Sequence, residues 1–465
     1  MGSIPLTRRS FLAAVSAAPA LAQRRRPNLV FVMTDDHSPW AISPGGCSTM
    51  HTPHIAALAR SGTRFSNAFA CTPVCSPSRL TWLTGQIPSR HGVQDWLRPV
   101  DSFGPQSRRF LDGLPTWSEA LARAGYTLGL AGKWHMGHDD RPHAGFSWWA
   151  TIPGGGGPYQ NPTFYKNGKT IPMKGFKTDL VGDAALEFLD TRKGQNHPFA
   201  LYLPFYAPHT PYNYQPDQYR APYEGSDFPC FPRRSKNPRQ NPGLAAHHGN
   251  PESMRGFSAL VTGADSQLGR VVEKLKQMGV YEDTVIVFTS DQGWSAGHHG
   301  VWGKGNGTWP FNMYDTAIGV PLIWAHPGKI AAGRVESTMV SSYDFLATLL
   351  DYLGIANPHQ TAGLSYADLL RGRRPSWQRD TLFFEYSGLR GLRTERWKYL
   401  ERDTGEQELY DLREDAHEER NLASKSAQTA PFSRTLTQWF ARQDAPPLKD
   451  WRSSTTQTLT SYALP

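Results

Sequence analysis

Ionisable and amide side chains follow four apolar runs of the sequence, at the point where each run ends. The runs are NLVFVMT, YTLGLA, FALYLPF and TVIVFTS. Continuous apolar runs rich in β-branched residues are typical of strands buried on both faces, as in a parallel sheet. Ligands of such sheets bind at the carboxyl ends of the strands. We therefore expect one binding or catalytic site from the residues after these runs: Asp35, Asp36, Lys133, His135, His209, Asp291 and Gln292.

A further reactive group lies in the segment Cys75–Arg79 (CSPSR). Pro77 suits the first turn of a helix, which the following apolar residues continue as far as Gly85. Cys75 would then lie at the helix N-terminus, where free N–H groups and the helix dipole favour negative charge. Arg79 is four residues further on, near the same end. From these residues alone, an anion-binding helix start and an ordinary half-buried cysteine both remain open.

The segments between the runs predict helices. Thr116 and Glu119 form a capping-box pattern that opens a helix, and Gly125 closes it. Alternating strands and helices indicate an α/β fold with a large, mixed, mostly parallel sheet sandwiched by helices. Three more helices are predicted at Thr178–Asp190, Ser253–Met278 and Ser342–Leu353.

The last part of the chain has a different pattern, with several short strands in succession, and it predicts a smaller C-terminal subdomain with an antiparallel sheet. We place the main α/β domain at residues 23–375 and this α+β subdomain at 376–465. A polar link and a helix should follow its strands, with Glu408–Leu412 at the start of the link. The predicted strands are Thr381–Tyr386, Gly391–Thr394 and Trp397–Leu400.

The first 22 residues have the features of an export signal. Arg8-Arg9 lies in the twin-arginine pattern LTRRSFL, and a short apolar run leads to an A-x-A cleavage pattern that ends at Ala22. The run is too short to span a bilayer as a helix, and no later stretch is apolar enough. We expect the twin-arginine export machinery as a partner and a periplasmic or secreted protein that begins at Gln23.

Composition excludes several classes of protein. The chain has 465 residues, 39% of them hydrophobic, so it can form a large core and is not disordered. Four cysteines exclude a disulfide scaffold, and we interpret Cys47, Cys71 and Cys230 as structural or incidental. A net charge of +9 favours an anionic partner. No nucleic-acid-binding motif accompanies that charge, so a nucleic acid is not expected.

Taken together, these motifs resemble those of the type I sulfatases, which belong to the alkaline-phosphatase superfamily. The family signature is C-x-P-x-R followed by L-T-G, and it matches Cys75 to Gly85 here. Matches to the polar strand ends and to a later Lys304 extend the resemblance over most of residues 27–422. It implies an alkaline-phosphatase-like fold and the hydrolysis of sulfate monoesters.

The resemblance also implies a modified residue and a metal. In the family the cysteine is converted to Cα-formylglycine, so a formylglycine-generating enzyme is an expected partner for Cys75. Hard oxygen ligands select Ca²⁺ or Mg²⁺ over Zn²⁺, and Ca²⁺ is favoured by resemblance to bacterial sulfatases. The implied metal site consists of Asp35, Asp36, residue 75, Asp291 and Gln292.

The family assigns roles to the matching residues. One hydroxyl of the hydrated aldehyde attacks sulfur, and His209 and Lys304 protonate the leaving alcohol. His135 then takes a proton from the second hydroxyl, which expels sulfate and regenerates the aldehyde. Arg79 and Lys133 hold the hydrate and the sulfate oxygens.

The substrate class and two alternatives stay open at this stage. The basic charge and the tryptophans near the motifs favour a sulfated carbohydrate over a small aryl sulfate, although core packing explains those tryptophans equally well. The chain departs from the family in residues 305–311, which intervene between Lys304 and Tyr314. A phosphonate or phosphate ester hydrolase of the same superfamily is one alternative. A non-catalytic binder of sulfated glycans, with Cys75 unmodified, is the other.

Overall fold

A computed structural model describes residues 26–166, 168–357 and 359–450. The predicted signal at 1–22 lies outside these residues. Among the described helices, none has both the length and the apolar character needed to cross a membrane.

The described residues form sixteen strands. They are β1 (Asn28–Thr34), β2 (Thr63–Phe65), β3 (Ala68–Phe69), β4 (Thr127–Gly132), β5 (Trp148–Thr151), β6 (Thr163–Lys166), β7 (Lys169–Pro172), β8 (Phe199–Pro204), β9 (Thr284–Ser290), β10 (Leu322–Ala325), β11 (Arg334–Glu336), β12 (Val340–Ser341), β13 (Leu382–Tyr386), β14 (Leu389–Arg393), β15 (Trp397–Arg402) and β16 (Gln407–Asp411).

Helices cover both faces of the main sheet and one face of the small one. The α-helices are α1 (Pro53–Ser61), α2 (Cys75–Thr84), α3 (Pro88–His91), α4 (Pro99–Ser102), α5 (Trp117–Arg123), α6 (Lys177–Asp190), α7 (Asp217–Arg220), α8 (Pro242–Ala245), α9 (Pro251–Gln277), α10 (Asp315–Ile318), α11 (Phe345–Tyr352), α12 (Ala367–Leu370) and α13 (Thr429–Arg442). Short 3₁₀ helices lie at Pro39–Ala41, Pro153–Gly155, Ala221–Tyr223, Tyr281–Asp283, His298–Gly300, Gly305–Gly307, Ser342–Asp344 and Leu448–Asp450.

The main sheet has ten described strands in the order β11-β2-β10-β9-β1-β8-β4-β5-β6-β7. The five central strands, β9-β1-β8-β4-β5, run parallel, whereas β10, β6 and β7 are antiparallel to their neighbours. The four strands predicted from the apolar runs are β1, β4, β8 and β9, and they lie side by side at the centre. The predicted mixed, mostly parallel sheet is therefore confirmed.

Alternate residues of the central strands pack into separate cores on the two faces of the sheet. In β1, Val30 and Val32 join a core with α6 and α9, whereas Leu29, Phe31 and Met33 join a core with α2, α5 and α11. Because side chains alternate along a strand, a continuous apolar run is what a sheet covered on both faces requires.

The small sheet is antiparallel, with strand order β13-β14-β15-β16. The fourth strand, β16 (Gln407–Asp411), occupies the segment that we predicted as the start of a polar link, so that assignment was wrong. Residues 408–411 are all buried although Glu408 and Asp411 are polar, so the sequence shows neither the apolar run nor the alternation from which a strand is predicted. The predicted boundary at residue 376 stays a prediction; all four strands follow it.

Helix α2, which carries the cysteine motif, begins at Cys75 and ends before Gly85. Gly85 adopts φ 67° and its N–H donates to the Thr81 carbonyl, as a glycine C-cap does. All ten residues of α2 are buried. The N-terminus of this helix therefore opens inside the protein rather than at its surface.

A disulfide joins Cys47 to Cys230 across 183 residues of sequence. From the sequence, both cysteines are interpreted only as structural or incidental, so this pairing is not predicted. Cys71 and Cys75 are free and buried. The disulfide ties the long loop after α7 to the segment between β1 and α1.

Candidate functional site

Three buried carboxylates lie where β1 and β9 end. The register of these strands pairs Thr34 with Ser290, so Asp35 and Asp291 leave the sheet at the same level. The Asp36 backbone N–H lies 3.3 Å from the Asp291 Oδ1 that it donates to. All three side chains are inaccessible to solvent. Parallel pairing thus produces the convergence that the sequence predicted.

Cys75, the first residue of α2, faces this carboxylate cluster. Its Sγ lies 3.5 Å from Asp35 Oδ1 and 2.8 Å from the Nζ of Lys304. Ser78, one turn further along α2, donates its hydroxyl to the backbone carbonyl of Asp291. The helix N-terminus and two strand ends therefore meet at residue 75.

Arg79 connects helix α2 to three strand ends of the site. Its guanidinium lies 2.8 Å from Asp291 Oδ2 and 3.3 Å from Asp35 Oδ2, and Nη1 donates to the Lys133 carbonyl at 2.8 Å. The side chain is fully buried. Arg79 therefore holds the ends of β1, β4 and β9 together; its predicted contact with sulfate stays a prediction.

Two lysines complete the charge pattern. Lys133 Nζ lies 2.5 Å from Asp35 Oδ2, and Lys304 Nζ lies 2.6 Å from Asp36 Oδ1. Three carboxylates thus meet three cations in a buried volume, which limits the cost of removing each charge from water. Any divalent cation bound here would leave the site with a net positive charge suited to a sulfate ester.

The remaining predicted metal-site groups are oxygens without hydrogen-bond partners. Among the described residues, Asp36 Oδ2 and Gln292 Oε1 are buried and receive no hydrogen bond. Gln292 turns its Nε2 toward Asp36 Oδ1, at 2.6 Å, so its Oε1 would face the carboxylates only after a half-turn of the amide. Buried acceptors that lack donors are usually satisfied by water or an ion.

His209 and His135 lie on two sides of the cluster. His209 Nδ1 donates to the Thr210 carbonyl at 2.8 Å, which leaves Nε2 at 3.7 Å from Asp36 Oδ2. His135 Nε2 donates to the Leu97 carbonyl at 2.8 Å, and its buried Nδ1 has no partner among the described residues. Each imidazole therefore keeps one nitrogen free for chemistry.

A glycine-rich loop covers His135. A Cβ added to Gly155 would lie 2.3 Å from Cγ of the His135 ring, so only glycine fits at that position. His135 itself adopts φ 57°, an uncommon conformation for a residue with a side chain. The ring is thus held from above by the loop and from its Nε2 side by Leu97.

The charges of the cluster shift the pKa of its members. Burial raises the pKa of Asp35, but Lys133, His209 and Arg79 outweigh it and hold the pKa well below the usual range. Burial and the nearby charge of Asp35 raise the pKa of Asp291 to about 7. Burial lowers the pKa of His135, and Lys133 lowers it further, so its ring is neutral at pH 7.

The structure brings nine of the ten predicted side chains into one connected set of contacts. His135 makes no hydrogen bond to the other nine within the described residues; it joins them through Leu97, whose N–H donates to Ser76 Oγ at 3.0 Å. The connected nine are Asp35, Asp36, Cys75, Arg79, Lys133, His209, Asp291, Gln292 and Lys304.

Sequence reasoning missed Lys177, a buried lysine at the edge of the site. Its Nζ donates to the carbonyls of Gly156 and Gly157 at 3.1 and 2.6 Å and lies 4.1 Å from the centroid of the Tyr206 ring. Among the described residues, no carboxylate pairs with it. Tyr206 also stacks on His209, at 4.7 Å between ring centroids. Lys177 therefore fixes the glycine-rich loop at residues 154–157. In the sequence, the run of glycines in that loop was the feature that could have drawn attention to it.

Comparisons with known proteins agree with this geometry. A family model described as Sulfatase matches residues 27–355, and one described as N-sulphoglucosamine sulphohydrolase, C-terminal, matches residues 297–444. The chain belongs to the sulfatase family. This sulfatase is a sulfuric ester hydrolase, and its fold is the alkaline-phosphatase-like fold of its structural neighbours. The fold and the sulfatase function predicted from the sequence are confirmed.

Three relatives illustrate the similarity. An N-acetylglucosamine-6-O-sulfatase of Bacteroides thetaiotaomicron is 28% identical, over 92% of this chain and 88% of that protein. An ulvan-active sulfatase of Formosa agariphila is 26% identical, over 86% and 78%. A solved structure in complex with its substrate D-glucosamine-2-N,6-O-disulfate has a TM-score of 0.78 and 25% identity, over 92% of this chain and 100% of that one.

The isolated charge of Lys177 generates a prediction about stability. Burial lowers the pKa of Lys177 to about 7, and Lys133 lowers it further; in the unfolded chain it returns to about 10.4. Between these values the unfolded chain binds more protons, so the free energy of unfolding rises with pH, by up to about 1.4 kcal/mol per pH unit from this group. We expect Lys177→Met to remove that rise in urea titrations at pH 7, 8 and 9.

Lys274→Met is the matched control, because Lys274 forms an ion pair with Asp190 far from the site. It should leave the pH dependence of unfolding as in the unmodified chain. If the free energy of unfolding changed with pH in the same way for the Lys177→Met protein and the unmodified chain, Lys177 would be protonated in the folded protein, which would contradict the prediction.

Proposed function

We propose that this sulfatase removes sulfate groups from a sulfated carbohydrate, using an aldehyde made from Cys75 and a bound divalent cation. The observation that carries the proposal is the position of residue 75, at a buried helix N-terminus between Asp35 and Lys304. The relatives whose names specify sulfated sugars support the carbohydrate class.

The residues present fit a divalent cation. Asp35, Asp36 and Asp291 supply carboxylate oxygens at one point, and within the described residues Asp36 Oδ2 is a buried acceptor without a donor. Gln292 Oε1, after β9, is a second such acceptor and would face the carboxylates after a half-turn of the amide. An all-oxygen donor set of this kind suits Ca²⁺, which we favour, or Mg²⁺.

When bound, the cation would withdraw charge from the sulfate oxygens and favour the anionic form of the nucleophile. The chain's own residues perform the other tasks. Lys304 and Lys133 are fixed cations beside residue 75, placed to stabilise negative charge that develops on the sulfate. Arg79 holds the Lys133 segment, Asp35 and Asp291 together.

The two histidines supply acid–base chemistry in this proposal. His135 is neutral, and since Nε2 donates to Leu97, its lone pair is on the unpartnered Nδ1. That nitrogen can accept a proton from residue 75. His209 is a quarter exposed, so it lies on the side from which an alcohol can leave. An aldehyde at residue 75 supplies, as its hydrate, one hydroxyl that attacks sulfur and a second hydroxyl that, on losing its proton, re-forms the aldehyde and expels sulfate from the first.

The compartment is part of the proposal. The twin-arginine pattern at residues 1–22 indicates export to the periplasm or outside the cell, and a formylglycine-generating enzyme would act on Cys75 beforehand. The Cys47–Cys230 disulfide supports this location, because disulfides persist in oxidising compartments.

Sulfate release from defined sulfated sugars tests the proposed function. We expect the protein from its native host to release sulfate from at least one member of a panel of sulfated mono- and disaccharides. Cys75→Ala should release none while remaining folded, because the nucleophile is gone. Ion chromatography of free sulfate gives the rate.

Cys71→Ala is the control for that experiment, since Cys71 is the other free buried cysteine and lies four residues upstream. It should retain sulfate release. Hydrolysis of aryl or choline sulfates together with no reaction on any carbohydrate would contradict the substrate class. Faster turnover of phosphonate monoesters than of any sulfate ester would contradict the reaction itself.

Metal content tests the carboxylate site. We expect Asp291→Asn to lower both bound Ca²⁺ and the rate of sulfate release, because it removes an anionic ligand and a partner of Arg79. Elemental analysis of dialysed protein measures the metal. Asp265→Asn, a buried aspartate that binds α1 away from the site, should keep its metal. Full metal occupancy in the Asp291→Asn protein would remove Asp291 from the ligand set.

A further inference from the structure

The tryptophans close in sequence to the site motifs include Trp148, Trp149, Trp294, Trp302 and Trp309, and the structure separates these five by exposure. Trp149, Trp294 and Trp302 are at most 2% exposed, so their ring faces are inside the protein. Trp148 packs on Phe188 of α6. Trp309 is 41% exposed. Among these five residues, Trp309 alone is exposed, whereas Trp148 is half-buried.

The loop that carries Trp309 is built on Lys304. Asn312 Nδ2 donates to the carbonyls of Lys304 and Gly305 at 3.0 and 3.2 Å and to Thr308 Oγ1 at 3.0 Å. The Gly307 N–H also donates to the Lys304 carbonyl, at 2.8 Å. The loop therefore closes on the residue whose ammonium contacts Cys75, which fixes Trp309 relative to the reacting centre.

Trp309 is held in place as well as exposed. Its backbone N–H donates to the Arg239 carbonyl at 2.9 Å. Its ring meets the Phe311 ring edge-on, at 5.0 Å between centroids, and Phe311 stacks on Tyr386 at 4.5 Å. An exposed ring that is already ordered loses little conformational freedom when a ligand binds.

Asp95 lies at the other end of this row of rings. The Tyr386 hydroxyl donates to Asp95 Oδ1 at 3.0 Å, and the Trp96 N–H donates to the same oxygen at 2.8 Å. Oδ2 receives no hydrogen bond from the described residues. Leu97, two residues on, is bound to Ser76 beside the cysteine, so Asp95 borders the site.

Asp95 has no cationic partner within ion-pair distance among the described residues, yet it is only 7% exposed. A buried carboxylate without a cationic partner is costly, and its unpaired oxygen usually accepts a hydrogen bond from another donor. A sugar hydroxyl is such a donor.

We propose that Trp309 and Asp95 form the carbohydrate subsite of this sulfatase, with the indole stacking on a sugar ring and the Asp95 carboxyl accepting a hydrogen bond from a sugar hydroxyl. This inference rests on the proposed function and specifies how the sugar, rather than the sulfate, is bound. A flat apolar face and a fixed acceptor suit a pyranose, which has apolar C–H faces and a rim of hydroxyls.

Binding to the Cys75→Ala protein, which cannot turn over, tests the subsite by isothermal titration calorimetry. The probes are inorganic sulfate, N-acetylglucosamine 6-sulfate and sulfated disaccharides from heparin and chondroitin. We expect at least one sulfated sugar to bind more tightly than sulfate. Adding Trp309→Ala or Asp95→Asn should weaken that sugar about tenfold, the value of one lost hydrogen bond or stacking contact. Sulfate should bind no more weakly than before.

Two conservative variants separate recognition from folding. Trp309→Phe keeps a flat ring and should keep most of the affinity for the sugar. Tyr386→Phe removes a donor to Asp95 without removing the acceptor, and it should affect the sugar less than Asp95→Asn does. Equal losses for sulfate and sugar would overturn the inference, because they would indicate a disturbed anion site. It is also overturned if no sugar outbinds sulfate or if neither variant changes sugar affinity.

The proposed function and the carbohydrate subsite are tested by different measurements, so one can fail while the other holds. It is judged by sulfate release from the unmodified enzyme, whereas the subsite is judged by the difference between sugar and sulfate affinities in a protein that does not react.

Discussion

The buried guanidinium of Arg79 is the interaction on which the site depends. From one position on α2 it contacts Asp35 after β1, the Lys133 carbonyl after β4 and Asp291 after β9. Breaking a buried ion pair by removing one partner leaves an uncompensated charge and typically costs about 3–5 kcal/mol. The strands bring their ends to one edge of the sheet by pairing, and the guanidinium connects three of those ends to the helix that carries residue 75.

That arrangement also sets the electrostatics of the reaction. The carboxylates are neutralised by Arg79, Lys133 and Lys304, so the site is balanced before any cation binds. A divalent cation bound here, as proposed, would add positive charge without adding a counter-ion, at a buried point where charge interactions are strong. That excess would match the negative charge that a sulfate ester brings and that its leaving oxygen develops. The same residues therefore balance the charge of the site and would give it an excess positive charge that favours catalysis once a cation is bound.

The sequence predicted those parts of the molecule that local patterns encode. Apolar runs predicted β1, β4, β8 and β9, and the polar residues after them predicted the site, because parallel strands deliver their ends to one edge. The prediction of a polar link from Glu408 to Leu412 was wrong: the segment forms β16, whose polar residues Glu408 and Asp411 are buried in the fold. Lys177 and Asp95 were missed for a related reason: one is held by backbone carbonyls of a glycine-rich loop, and the other by Tyr386 of the small sheet. Such contacts follow from the folded topology and not from spacing.

The proposed reaction depends on residue 75 acting as an aldehyde beside a divalent ion. The most direct measurement compares sulfate-release rate with the fraction of aldehyde at residue 75, determined by peptide mass spectrometry on preparations with graded conversion. We expect a straight line through the origin at saturating Ca²⁺. Full activity in protein that carries only the thiol would contradict it.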